Sequence, residues 1–141
     1  MELVHFSSPN PKYQPDPCPA YVPSATANHK LGVIVLQEWW GVNDNIKNRA
    51  LDLHQKYGWI TLVPDLYRGK VAIDRETAHH LMSDLDFGGA VQDIQAAAQF
   101  LKRERKCEKV AVVGFASEPT FCPTCSQSPF RIEKLSTIWL S

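Results

Sequence analysis

The 141-residue chain has no apolar run approaching the roughly 18 residues that a membrane-spanning helix needs. It also has no surplus of charge. Lys+Arg and Asp+Glu each number 15, for a formal net charge of zero, which argues against a nucleic-acid or membrane-surface protein. The first 30 residues hold only Lys12 and Lys30 as cations and no apolar core segment. No secretory signal is therefore expected, and the cytosol is the default compartment. Cysteine is sparse: Cys18, Cys107, Cys122 and Cys125. In a cytosolic chain these read as free thiols rather than a disulfide framework. Cys122-Pro123-Thr124-Cys125 is half of a zinc-site spacing, but no Cys or His follows it. It reads as two incidental loop thiols, and neither a metal nor a cofactor is expected. Histidine is missing after His80 and aspartate after Asp93.

What is present is ordinary for one soluble domain: 44% hydrophobic and 21% charged residues. Residues 1–30 carry six of the ten prolines. Long elements are not expected there, because proline fixes φ and lacks an N–H. Leu3–Phe6 and Ala20–Val22 read as short edge strands joined by a Pro-rich turn. From Leu31 the character changes. Leu31–Leu36 is a continuous apolar, β-branched run, the mark of a strand buried on both faces. Asn43-Asp44-Asn45 starts a helix on which Ile46, Ala50, Leu53 and Tyr57 recur at helical spacing, and Gly58 ends it. Trp59–Val63 reads as the next strand, stopped by Pro64. Asp74 can cap a short helix with Ala78, Leu81, Met82 and Leu85 on its apolar side. Phe87-Gly88-Gly89 reads as a break. Ala90, Ile94, Ala97, Ala98 and Leu101 mark a longer helix closing in the basic run Lys102–Lys106, a solvated helix end that favours the macrodipole. Lys109–Val113 is a third buried strand.

Strand, helix, strand, helix, strand predicts an α/β fold with a mostly parallel sheet and flanking helices. In such sheets chemistry gathers beyond the carboxyl ends of the strands. After the first buried strand stands Gln37-Glu38-Trp39-Trp40-Gly41. Glu38 there is either a partly desolvated acid/base group or an acceptor for loop N–H groups or an arginine. Trp39 and Trp40 read more as packing than as ligand contacts. After the second stands Pro64-Asp65-Leu66-Tyr67-Arg68-Gly69. Arg68 either clamps a substrate carboxylate or pairs with Glu38 or Asp65. Asp65 reads as ordering the turn. After the third stands Gly114-Phe115-Ala116-Ser117-Glu118. This begins like the strained turn that presents a nucleophile after a strand, but Ala116 occupies the nucleophile position and Glu118 that of the second glycine.

The blocks Val35–Asn43, Val63–Lys70 and Val110–Phe115, in this order, resemble the dienelactone hydrolase (carboxymethylenebutenolidase) family of α/β-hydrolases over about residues 1–115. The resemblance implies hydrolysis of small lactones or esters through a Cys–His–Asp triad, without cofactor or metal. In the family a cysteine nucleophile followed by x-Gly-Gly comes directly after Val-Gly-Phe, and it would fall at Ala116. The glutamate matching Glu38 meets that cysteine at rest and helps generate the thiolate. The backbone N–H matching Trp39 helps form the oxyanion hole. An arginine close to the position of Arg68 holds the substrate carboxylate.

The resulting expectation is the N-terminal half of an α/β-hydrolase fold, truncated after its third parallel strand. It comprises a Pro-rich segment 1–30, a partial hydrolase domain 31–115 and a non-homologous, disordered tail 116–141. A frameshift, a retained intron or an alternative exon would give this shape. Such a chain lacks a nucleophile and is expected to be catalytically incomplete. Val110–Val113 would form a bare, sticky sheet edge, open to self-association or to a full-length relative, in a poorly soluble product. In the tail, Ile132, Leu135, Ile138 and Trp139 suggest a short amphipathic turn. A rearranged nucleophile, Ser117 or a tail cysteine, would need a nearby base. The histidines, His5, His29, His54, His79 and His80, read as surface positions instead.

Overall fold

The computed structural model describes residues 1–24 and 30–115, and residues 136–140 as backbone. Six strands and three helices appear among them. Strand β1 (Glu2–Phe6) pairs antiparallel with β2 (Cys18–Val22). Strand β3 (Leu31–Leu36), helix α1 (Asp44–Tyr57) and strand β4 (Ile60–Pro64) follow. Two helices, α2 (Arg75–Ser83) and α3 (Phe87–Glu104), lead to β5 (Lys109–Gly114), and β6 (Ser136–Leu140) comes last. The sheet order is β1-β2-β4-β3-β5-β6. The three apolar runs form the parallel centre, and β1, β2 and β6 flank it antiparallel.

The centre is covered on both faces. In β3 the side chains alternate: Ile34 packs with Leu62, Val110, Val112 and α3 residues Ala97 and Leu101, whereas Val33 and Val35 pack with Ile46 and Ala50 of α1. Alternation along one strand thus sends α3 and α1 to opposite faces of the sheet. Thr61 is buried within β4 because its hydroxyl donates to the Ala50 carbonyl, 3.0 Å away on α1. Phe6, Cys18, Ala20 and Val22 extend the α3-side core. No helix among the described residues is long and apolar enough to cross a membrane.

Local signals set the helix ends. The Asn43 side chain accepts from the Ile46 amide, and Gly58 closes α1 at φ 71. The Asp74 side chain accepts from the Thr77 amide at the start of α2.

Several expectations need correction. Phe87-Gly88-Gly89 is the first turn of α3, and the break falls at Asp84–Asp86. Glycine costs little where the helix is only beginning, and Gly89 is needed there: a Cβ would collide with the Asn10 side-chain amide. Only β1 of the N-terminal pair is an edge, since β2 lies between β1 and β4. Trp59 precedes β4 and stacks on Tyr57 with ring centroids 4.3 Å apart. The edge expected to be bare at Val110–Val113 is paired: Val110 to Gly114 run antiparallel to Leu140 to Ser136. Ile138 and Trp139 therefore belong to a strand, in a Ser-Thr-Ile-Trp-Leu segment rich in the β-branched and aromatic residues that strands favour. The surface foreseen for a partner on β5 is occupied by the chain itself. Ile132 and Leu135 lie outside the described residues.

Candidate active site

The parallel register brings three carboxyl ends together. Gly32 pairs with Ile60 and Leu36 with Gly114, so residues 37–43 leave β3 beside the loop after β4 and beside Phe115. Two hydrogen bonds lace the first two loops. Gln37 Oε1 accepts from the Leu66 amide at 2.9 Å, and the Trp40 carbonyl accepts from the Ala72 amide at 2.8 Å. Between them the Gly41 amide donates to the Glu38 carbonyl at 3.0 Å, closing a tight turn. Gly41 adopts φ 95, and a Cβ there would run into the Lys70 carbonyl oxygen. No other residue fits that approach.

Glu38, Trp39 and Trp40 sit half-buried on this turn. The two indoles meet edge to face, with centroids 5.2 Å apart and planes at 66°. The turn holds Glu38 and the Trp39 backbone at the mouth of the parallel strands.

The second loop is ordered by Asp65, as its position suggested. Its carboxylate is buried and accepts from the Tyr67 amide at 3.2 Å and the Gly69 amide at 2.8 Å. Burial raises its pKa above the ordinary carboxylate value, while those two N–H donors pull the other way.

Arg68 pairs with neither Glu38 nor the Asp65 carboxylate. It adopts φ 52 and grips Asp93 of α3 with a two-pronged fork, Nη1 to Oδ2 at 3.0 Å and Nη2 to Oδ1 at 2.9 Å. Nη1 also donates to the Asp65 carbonyl at 3.1 Å, and the guanidinium lies 4.1 Å from the Tyr13 ring centroid. Nη1 and Nη2 are thus engaged within the protein, whereas Nε is buried and makes no hydrogen bond among the described residues.

Asp93 itself is fully buried and also accepts from Ser8 Oγ and Asn10 Nδ2, at 2.5 and 2.9 Å. Sequence reasoning missed this cluster. The available signal was an aspartate on the apolar stripe of α3, amid Ala90, Ala97 and Leu101. A charge in such a stripe requires a partner.

Other candidates are not brought to this mouth. Cys18 is buried and its thiol is pushed up to about 12, by burial first and then by the Asp93 charge. It therefore stays protonated and inert at neutral pH. Burial raises Cys107 as well. His54 lies on α1 with Nδ1 2.7 Å from the Trp59 carbonyl oxygen. His79 and His80 are exposed on α2, and His5 is exposed on β1. Ala116, Ser117, Glu118, Cys122, Cys125 and His29 lie outside the described residues.

This geometry agrees with relationships to known proteins. A protein of Aquifex pyrophilus named usf is 35% identical over 92 residues, which are 60% of this chain and 39% of that protein. An Aquifex aeolicus (strain VF5) protein named as a carboxymethylenebutenolidase is 30% identical over 91 residues, 59% of this chain and 39% of its own length. This chain thus spans about two fifths of the length of the curated relatives it matches. A Klebsiella pneumoniae crystal structure described as a dienelactone hydrolase shares the fold. Its TM-score is 0.60 at 23% identity, and the match covers 82% of this chain and 50% of that one. Residues 18–119 match the dienelactone hydrolase family. With β2 to β5, the laced loops and the Glu38–Gly41 turn all falling inside that match, the chain belongs to the dienelactone hydrolase family.

Proposed function

We propose that this chain carries the glutamate and oxyanion side of a hydrolase site for small lactones or carboxylic esters, and does not turn such esters over by itself. The observation that carries the reading is the laced pair of loops, which holds Glu38 and the Trp39 backbone beside the end of β5. Ester hydrolysis by this family's route needs a thiolate at the residue after Phe115. Alanine at 116 has no group that can attack a carbonyl. In this reading Glu38 takes up the proton of a thiol at that place. The Trp39 N–H donates to the oxyanion of the tetrahedral adduct, an interaction worth roughly 100- to 1000-fold in rate where it has been removed elsewhere. In this reading Arg68 serves as a brace through the two terminal nitrogens that it commits to Asp93.

The test restores the nucleophile. The A116C substitution is made in a C122S/C125S background, and p-nitrophenyl acetate supplies a leaving group that needs no general acid. Intact mass spectrometry should show one acetyl group per chain, formed faster than on free cysteine and slowed by E38Q. The Ala116 protein should release no nitrophenolate above buffer. Turnover by the Ala116 protein, or an A116C thiol no faster than free cysteine, would refute the reading. A purely partner-binding role is less favoured, because the β5 edge it would use is already paired by β6.

A further inference from the structure

We propose that Asp93 is a positioning residue: clamped by Ser8 and Asn10, it fixes Arg68 and through it the two loops that present Glu38 and Trp39. The catalytic part of this inference rests on the hydrolase reading above. The chain of contacts is continuous. Ser8 Oγ and Asn10 Nδ2 hold one carboxylate oxygen each, and the Arg68 fork takes both. Among the described residues, these four hydrogen bonds to Asp93 come from other segments of the chain. Arg68 Nη1 then ties the Asp65 carbonyl, and the Asp65 carboxylate holds the Tyr67 and Gly69 amides. The amide between Asp65 and Tyr67, that of Leu66, donates to Gln37, the residue before Glu38.

The clamp is built on the N-terminal side as well. The Asn10 amide donates to Ser8 Oγ, and the Lys12 amide donates to Asn10 Oδ1. Gln14 Nε2 donates to the Ser8 carbonyl. Gly89 clears the space for Asn10 on α3. Ser8, Asn10 and Tyr13 precede residue 18, where the family match begins. A segment outside that match therefore bears on the site.

Buried ion pairs are weak contributors to stability, since desolvation offsets their attraction. Their geometry, however, is restrictive. A two-pronged fork on a carboxylate allows one plane and one distance. Arg68 is held at a left-handed φ that arginine rarely adopts. Such a conformation persists only where its surroundings over-determine it. The Asp93 fork and the Tyr13 ring supply that determination.

The experiment is amide hydrogen exchange on the N10A and D93N forms of the full chain. N10A removes one of the four hydrogen bonds to Asp93 and leaves the ion pair intact, so it covers the case in which D93N does not fold. The expected result is at least tenfold faster exchange at Leu66, Tyr67 and Gly69, with the β3 amides Val33–Val35 unchanged within twofold. In the A116C background, acetylation by p-nitrophenyl acetate should slow at least fivefold in the same variants. Unchanged exchange at the three loop amides would overturn the proposal. So would an equal rise at the β3 amides, the sign of a merely structural role. Undiminished acetylation despite local loosening would overturn it too. If the A116C parent reacts no faster than free cysteine while the local exchange pattern holds, the hydrolase reading is what has failed and the positioning of the loops stands.

Discussion

Gly41 and Gly69 offer a matched pair for separating backbone strain from steric collision. Both adopt left-handed conformations, at φ 95 and φ 91. At Gly69 nothing lies within 4 Å of the place a Cβ would take. At Gly41 that place is 2.5 Å from the Lys70 carbonyl oxygen and 3.2 Å from Tyr67 Cδ2. The oxygen belongs to backbone, so relief requires one loop to move by nearly an ångström relative to the other. G69A should cost about 1–2 kcal/mol, the cost of placing a Cβ in the left-handed region. G41A carries the same strain plus overpacking, which typically adds about 1–3 kcal/mol. Urea denaturation of the two variants beside the parent gives the difference directly. A gap of about 1–3 kcal/mol, with unchanged m-values, is expected. A gap below about 0.5 kcal/mol, the scatter of neutral surface changes, would refute the claim that the two loops are locked at Gly41.

Asn43→Ala removes the side-chain cap of α1 and should cost about 1 kcal/mol in the same assay. Arg68→Met leaves Asp93 buried without its counter-charge and should cost about 3–5 kcal/mol, whereas R68M combined with D93L should recover most of that loss. Equal destabilisation by the single and double changes would contradict the ion-pair account. The Cys18 thiol has its pKa raised above the unfolded value of 9.0, to about 12, by burial. Its contribution is therefore complete below pH 9 and is lost as pH rises toward 12. Urea midpoints at about pH 8 and about pH 11 should fall further for the parent than for C18A, because only the parent must keep this buried thiol protonated. Equal falls would show that Cys18 does not govern the alkaline limb.

The parts of the fold legible in the sequence are those whose cause is local. Leu31–Leu36 and Lys109–Val113 are apolar runs that only a doubly covered strand can use, and Asn43, Gly58 and Asp74 act within one helical turn of where they stand. The Gly88-Gly89 pair misled because its reason lies in Asn10, far away in sequence. The pairing of β5 with β6 was hidden for a similar reason: a strand edge is satisfied by whatever segment returns to it, and a five-residue strand has little periodicity to announce it. At the site, the loops after β3 and β4 were located by the rule that chemistry gathers at strand ends. The partner of Arg68 was not, because nearby acids in the sequence drew attention from one 25 residues on.

The central position of β3 also sets an order of assembly. Gly32 meets Ile60 after 28 intervening steps of chain, but Val110 only after 78. Loop closure over the longer span costs about 0.9 kcal/mol more in chain entropy. The β3-α1-β4 unit is therefore the natural first product, with one side of β3 still open. Until Lys109–Gly114 arrives, that open side is the most adhesive surface on the folding chain. The helices α2 and α3 must form and cross over before it is covered. A ribosome pause or chaperone contact while residues 65–108 emerge would act on this half-finished sheet, and aggregation during synthesis would begin there rather than at the outer strands.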